Sequence, residues 1–231
     1  IALAVAAHAS QTQGSADLIV KSMVHWINEE HIQTEQQFRE VMGQKRFFDI
    51  MRDRIVGQPQ IGVALIIAAN GDVVNATRVW PPTAGNVADR EAFRMAIEPN
   101  APTLSATSYG RLSGQPRFFI SRKIVSPTGT LLGVVAVGLE ADFFATFYQQ
   151  MALGPDSSVA LFRDDGPLLA TSLPDQKLGA RFDQTLLQRL VESGQSGKAV
   201  LTHGDFPAFS GSGSTSIVVA ARLANLPAYV T

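Results

Sequence analysis

The chain has 231 residues, of which 45% are hydrophobic and 17% charged, and its formal net charge is −1. That length can bury a substantial core without staples, and the near-neutral balance offers no basic field to nucleic acid or to an anionic membrane surface. The sequence contains no cysteine, which removes disulfides, thiolate catalysis and thiolate metal sites together.

No segment reaches the ~18 consecutive apolar residues that a membrane helix needs. Ile1 to Ala7 is nonetheless all apolar, with His8 following. It reads as the stump of a membrane helix, as the start of a soluble helix, or as a trimmed signal peptide. From Ser15 to Ile55 the pattern is helical, with Val20, Val24, Ile27, His31, Thr34, Phe38, Val41, Phe48 and Ile55 recurring at helical steps. Thr34-Glu35-Gln36-Gln37 fits a capping box, so a second helix starts there. Two such helices totalling ~40 residues would span ~60 Å, which implies a long stalk that pairs with a copy of itself, a helix lying along its own domain, or both.

The period changes at Ile61. Ile61 to Ala69 is a continuous apolar run, Asn70-Gly71 a turn, and Val73 to Val79 the return strand. Asp89 reads as the N-cap of a short helix through Ile97, stopped by Pro99. Ser105 to Gly114 is polar and loop-like. Phe118 to Val125 and Leu131 to Leu139 are strands joined at Pro127-Thr128-Gly129, and Asp142 caps a helix that ends at Gly154-Pro155.

The order then restarts. Val159 to Phe162, the turn Asp164-Asp165-Gly166 and Leu168 to Thr171 form a second hairpin. Phe182 to Glu192 is helical. Gly197 to Thr202 and Ile217 to Leu223 are strands, with the Gly/Ser-rich loop Ser210 to Ser216 between them. LIIAANGDVVNA (Leu65 to Ala76) lies over ALFRDDGPLLAT (Ala160 to Thr171), and GTLLGVVAVGL lies over STSIVVAARL. The offset is the 95 positions separating Gly71 from Gly166. Such an offset reads as two similar antiparallel α+β units in tandem.

Enzymatic signatures are missing. The four histidines are His8, His25, His31 and His203. His25 and His31 sit on different faces of a helix. No HExxH, calcium loop, nucleotide fingerprint or GxSxG elbow occurs. Asp164-Asp165 is ordinary turn chemistry. Ser210-Gly211-Ser212-Gly213-Ser214 lacks the Lys-Ser/Thr of a phosphate cradle and reads as a flexible loop. The residues point away from an enzyme, and they call for neither cofactor nor metal.

GDVVNATRVWPPTAGNVADREAF resembles the membrane-distal half of double Cache sensors, also called tandem PAS-like or PDC domains. The matching positions are Gly71, Trp80, Pro81, Asn86, Asp89, Arg90 and Phe93. FFISRKIVSPTGTLLGVVAVGLEADFFATFYQQM is similar to that family's later strands and Phe-rich helix, and GPDSSVALFRDDGPLLAT to the opening of its membrane-proximal half. The resemblance implies a helical stalk over 1–58, a distal PAS-like module over 59–155 and a proximal one over 156–231, each with a central antiparallel sheet. It further implies a periplasmic, membrane-tethered sensing region that forms a homodimer through its N-terminal helix. Such a region would signal to a histidine kinase or a diguanylate cyclase.

The same resemblance implies a small ligand in the distal module, held among Trp80, Asp89, Arg90, Phe93, Tyr109, Phe119, Ser121 and Arg122. Arg90 and Arg122 would clamp a carboxylate, Trp80 and Tyr109 would wall the pocket, and Asp89 would accept from a ligand amine. Plainer roles compete: Asp89 as a helix cap, Phe93 and Phe119 as core. Strand alternation pairs Phe119 with Ser121 and Phe118 with Arg122, so Ser121 and Arg122 cannot both face inward without a bulge. Amino-acid-binding members carry an Arg-x-Trp-Tyr-like stretch where this chain has Arg90-Glu91-Ala92-Phe93, and an Asp near Gly138. Neither is present, so the resemblance does not extend to that scheme. A ligand-free dimerisation or spacer module is the alternative, and a hydrolase with an unrecognised site a third reading.

Overall fold

The computed structural model describes residues 1–99, 103–111, 113–154, 156–182, 197, 199–203, 215–224 and 226–231. The architecture is α+β, a long N-terminal helix followed by two antiparallel sheets and a separate two-stranded ribbon. The expected helix over Phe182 to Glu192 and the loop over Ser210 to Ser216 lie wholly or largely outside the described residues.

Helix α1 spans Ala2–Glu29, 28 residues, or ~42 Å. It begins well before Ser15 because the apolar run at the start is helical, with Val5, Ala6 and Ala9 buried. The expected spine of two consecutive helices does not continue past it. The chain leaves α1 at His31, whose φ of 51° is left-handed and so cannot extend a helix. Helix α2 (Glu35–Met42) opens at Thr34, whose hydroxyl accepts from the Gln37 amide at 3.2 Å. The Gln37 side chain accepts in turn from the Gln33 backbone amide at 2.9 Å, so the box closes one residue earlier than the usual form. Helices α2 and α3 (Lys45–Ile55) pack on the first two strands. Buried Asn75 fixes them there, its amide donating to the Met42 and Gln44 carbonyls at 2.8 and 3.3 Å.

The first sheet has the order β2-β1-β5-β4-β3. Its strands are β1 (Ile61–Ala68), β2 (Val73–Ala76), β3 (Ser108–Tyr109), β4 (Pro116–Val125) and β5 (Leu131–Glu140). Helix α4 (Glu91–Ile97) lies between β2 and β3 in sequence. Its N-cap is Arg90, not Asp89. The Val87 amide donates to Gly71 O at 2.8 Å and ties the approach to the hairpin, so the helix starts later. Helix α5 (Ala141–Met151) is likewise capped at Glu140, not Asp142, with no side-chain cap. Strand β5 stays extended through Glu140, which leaves Asp142 in the first helical turn.

The second sheet has the order β10-β11-β6-β7. It is built from β6 (Ala160–Arg163), β7 (Leu168–Thr171), β10 (Ala221–Arg222) and β11 (Ala228–Val230). Strands β8 (Ala199–His203) and β9 (Thr215–Val219) form the ribbon. The 95-position offset holds down to single hydrogen bonds. Leu65↔Ala76, Ile66↔Asn75 and Ile67↔Val73 recur as Ala160↔Thr171, Leu161↔Ala170 and Phe162↔Leu168. The register slips between Ile66 and Ile67 in one hairpin and between Leu161 and Phe162 in the other. The Val87 amide on Gly71 O and the Phe182 amide on Gly166 O are the same bond twice.

The chain divides into two compact units. One comprises Gly14–Ser105 and Arg117–Leu139; the other comprises Ile1–Gln13, Ala106–Pro116 and Glu140–Thr231. In the second unit His8 of α1 stacks on Phe147 of α5 at 3.7 Å between ring centroids, and burial lowers the His8 pKa.

Candidate functional site

The first sheet has two distinguishable faces. Register places Val63 opposite Gly138, Leu65 opposite Ala136 and Ile67 opposite Val134, and directly opposed residues share a face. Phe93 of α4 closes on Ile67, Val134 and Ala136, with Leu65, Val87, Ala88, Ala96, Ile97 and Phe119 packed around them. On the other face, Phe38 of α2 lies against Gly133, where a Cβ would meet its ring at 2.7 Å.

The α4 face is where the sequence places a guest, and three of the expected residues meet there. Phe93 is buried in its centre. The Phe119 ring lies over Gly138, where a Cβ would come within 2.8 Å of that ring and 3.0 Å of Val63. Ser121 follows Phe119 by two strand positions and so shares its face. Its residue is 4% exposed, and its Oγ has no hydrogen-bond partner. A hydroxyl left this way in an apolar enclosure costs about 1–3 kcal/mol.

The other expected residues fall elsewhere. Arg90 is half-buried at the N-cap of α4, where its carbonyl accepts from the Phe93 and Arg94 amides at 3.1 Å each. Asp89 is exposed in the preceding turn. The Trp80 indole donates to Gly43 O at 3.3 Å, at the junction of α2 and α3. Tyr109 is 51% exposed and belongs to the other compact unit. Arg122 is turned to the opposite face from Ser121, where its Nη2 donates to Asp17 Oδ1 of α1 at 2.6 Å. Lys21 Nζ lies 2.7 Å from Asp17 Oδ2. Burial alone would raise the Asp17 pKa, but the hydrogen bonds and charges of Lys21 and Arg122 outweigh it and hold the carboxyl below the usual range.

Sequence reasoning missed Asp17, because its partner lies 105 positions away and nothing local marks it. It also left out Val63, Leu65, Val134 and Ala136 as lining. Gly138 within a strand was a usable signal, since a strand glycine often marks a close approach.

Asn86 of the Asn-x-x-Asp-Arg stretch is a clamp. Its amide donates to Asn70 O at 3.0 Å and to Asp72 Oδ1 at 2.8 Å, while its own oxygen accepts from the Ala88 amide at 2.9 Å. Arg181, at the equivalent place in the second hairpin, donates to Asp165 O at 2.7 Å.

A separate cleft of about 210 Å³ lies between the end of α1 and the β4–β5 hairpin. Ile27, Ile32, Ile124 and Leu132 line it, with His31 and Asn28 also contributing. Among the described residues there is no group of three or more His, Cys, Asp or Glu side chains that could hold a metal. No helix among them is long and apolar enough to cross a membrane.

No family model matches the sequence, and no curated protein does. Solved structures do. The extracellular domain assigned to a histidine kinase, rpHK1S-Z16, is 25% identical with a TM-score of 0.78, over 99% of this chain and 89% of that one. The ligand-binding domain of the Pseudomonas aeruginosa PAO1 amino acid chemoreceptor PctB, solved with L-Arg, is 13% identical with a TM-score of 0.66, over 99% and 89%. The ligand-binding domain of the Campylobacter jejuni chemoreceptor Tlp3, solved with 4-methylisoleucine, is 12% identical with a TM-score of 0.56, over 96% and 81%. These likenesses define the class: the fold is that of extracytoplasmic sensor domains of membrane receptors. Two antiparallel sheets that follow one long N-terminal helix in sequence are consistent with the double Cache resemblance of the sequence.

Proposed function

We propose that this chain is the periplasmic sensing region of a membrane receptor, binding a small molecule between the α4 face of its first sheet and helix α4. The single observation behind this is the buried, unpartnered hydroxyl of Ser121 on an otherwise apolar face. A guest with one oxygen acceptor and an apolar body satisfies that hydroxyl once Phe93, Phe119 and Leu65 part to admit it. Arg90 and Asp89, at the start of α4, belong to its approach rather than its floor. Gly138 bears no carboxylate, and the Phe119 ring occupies the space a side chain there would need. An α-ammonium therefore finds no acceptor at that position, and a short aliphatic carboxylate whose charge is met by Arg90 at the start of α4 fits better than an amino acid.

In this reading the sheet of β1 to β5 is the membrane-distal module and the sheet of β6, β7, β10 and β11 the proximal one. The parent protein is tethered to the membrane, and its output domain is a histidine kinase or a diguanylate cyclase. Helix α1 mediates a homodimer: Ala4, Ala7, Gln11, Leu18, Lys21 and His25 are exposed at alternating spacings of three and four, with Gly14 half-exposed among them. That spacing is the seam pattern of paired helices. The same row favours the second reading, a spacer that dimerises without a ligand.

A thermal-shift panel separates the two. Propionate, butyrate, isovalerate and succinate are compared with L-valine, L-isoleucine and L-arginine. A carboxylate hit at 100 times its Kd stabilises by about 2.7 kcal/mol. Ser121→Ala should weaken that hit about tenfold, equivalent to the ~1.4 kcal/mol of one net hydrogen bond. No hit from any probe, or a hit untouched by Ser121→Ala, overturns the site.

A further inference from the structure

Ser121 and Arg122 are neighbours on β4 with opposite duties. Ser121 faces the proposed guest site; Arg122 crosses to the other face and grips α1 through Asp17. The grip is partly buried, with side-chain exposures of 32% for Arg122 and 17% for Asp17. It is also incomplete. Arg122 uses only Nη2 on the carboxylate, at 2.6 Å, while its Nε is buried without a partner. A guanidinium can present two parallel N–H groups to one carboxylate, and the two-pronged form is the stronger. The second oxygen of Asp17 is held meanwhile by Lys21 at 2.7 Å. The pair therefore has a second arrangement available, in which Nε reaches Asp17 and Lys21 yields.

We propose that Asp17 and Arg122 form a two-position latch that couples occupancy of the α4 face to helix α1, with one-pronged contact when the face is empty and two-pronged contact when it is filled. The proposal rests on the guest site described above. The structural ground is the shared strand: a guest that draws Ser121 toward itself slides β4, and Arg122 moves with it against Asp17. Coupling needs an element with two discrete arrangements that both sites bias, and the unused Nε supplies the second one. Asp17 and Arg122 are thus positioning residues that touch no guest.

The test needs no natural ligand. Because the chain has no cysteine, Ser121→Cys introduces a single thiol on the α4 face. Methyl methanethiosulfonate then attaches a small methylthio group there as a surrogate guest. Amide hydrogen exchange over residues 14–24 of α1, read by mass spectrometry with and without labelling, reports the latch. Labelling is expected to slow that exchange about three- to tenfold, within the ~0.5–2 kcal/mol typical of such coupling. In Arg122→Lys, which keeps the charge but has no fork, the slowing should vanish while the fold persists. Asp17→Asn should abolish it as well, and the exchanged pair Asp17→Arg with Arg122→Asp should restore part of it. Equal slowing in the Arg122→Lys background, or no slowing in the parent, overturns the latch and leaves the guest site standing. Failure of the introduced thiol to react in the folded protein overturns both.

Discussion

The hairpins β1–β2 and β6–β7 share their register, their bulge and the amide bond that ties the following loop to the turn glycine. The faces beneath them are filled differently. Under the second hairpin, Phe162 lies between Tyr229, stacked at 5.8 Å, and Phe182, edge-on at 6.0 Å, in a cluster with Ala160, Leu168, Val218 and Ala220. Under the first, Phe93 is the one fully interior aromatic of the cluster and several of its apolar neighbours are only partly buried; each face keeps one unpartnered buried hydroxyl, Ser121 here and Tyr229 there. The backbone frame has been kept while the filling changed. The aromatic version suits a rigid unit; the other is the face at which a guest is proposed.

Phe162→Ala tests this contrast most sharply. Its ring is 1% exposed, so its removal should cost about 3–5 kcal/mol in urea unfolding followed by circular dichroism. Phe119→Ala, in the less tightly filled face, should cost roughly half as much. Equal losses would mean that the two faces are packed alike. Next in size is Asn75→Ala. Removing that buried amide strands the Met42 carbonyl, while Gln44 O keeps the Phe47 amide, and should cost about 1–3 kcal/mol. Tryptophan emission reads it directly, since Trp26 and Trp80 both belong to the unit of the first sheet.

Much of this frame was legible in the sequence, because Asn70-Gly71 and Asp165-Gly166 are local turn chemistry and the 95-position offset repeats it. Strand alternation already separated Ser121 from Arg122. What stayed hidden depends on distant pairing. Asp89 and Asp142 carry good cap side chains, yet the helices begin at positions set by the Val87–Gly71 bond and by the length of β5. The helical period ran on from Ser15 to Ile55, but neither the break at His31 nor the packing of α2 and α3 on β1 and β2 is written in that period. Nothing near Arg122 in the sequence names Asp17.

Smaller effects sharpen the hairpin comparison. Asn86→Ala should cost about 1 kcal/mol through its bonds to Asn70 and Asp72. Arg181→Ala, whose ion pair with Asp165 is exposed, should cost under about 0.5 kcal/mol. A reversed order would show the second clamp to be the stronger. The carboxyl of Asp17 titrates below its usual range in the fold. Its stabilising contribution is therefore complete above the unfolded value of about 3.9 and is lost as pH falls through the folded one. Asp17→Asn should be less stable than the parent at neutral pH, with the gap closing in acid melts. The smallest effect has the opposite sign. Nothing lies within 4 Å of a Cβ built on Gly14 in α1, so Gly14→Ala should stabilise by about 0.5–1 kcal/mol in the monomer.

The two compact units are threaded through one another along the chain: Gly14–Ser105 and Arg117–Leu139 make one, while Ile1–Gln13, Ala106–Pro116 and Glu140–Thr231 make the other. No cut at a single peptide bond releases either unit whole. During synthesis the first to leave the ribosome complete is therefore the one with the tryptophans, finished at Leu139, while its sibling waits for the stretch up to Thr231. Transplanting one unit means moving two stretches of gene for the first or three for the second, or rerouting the loops.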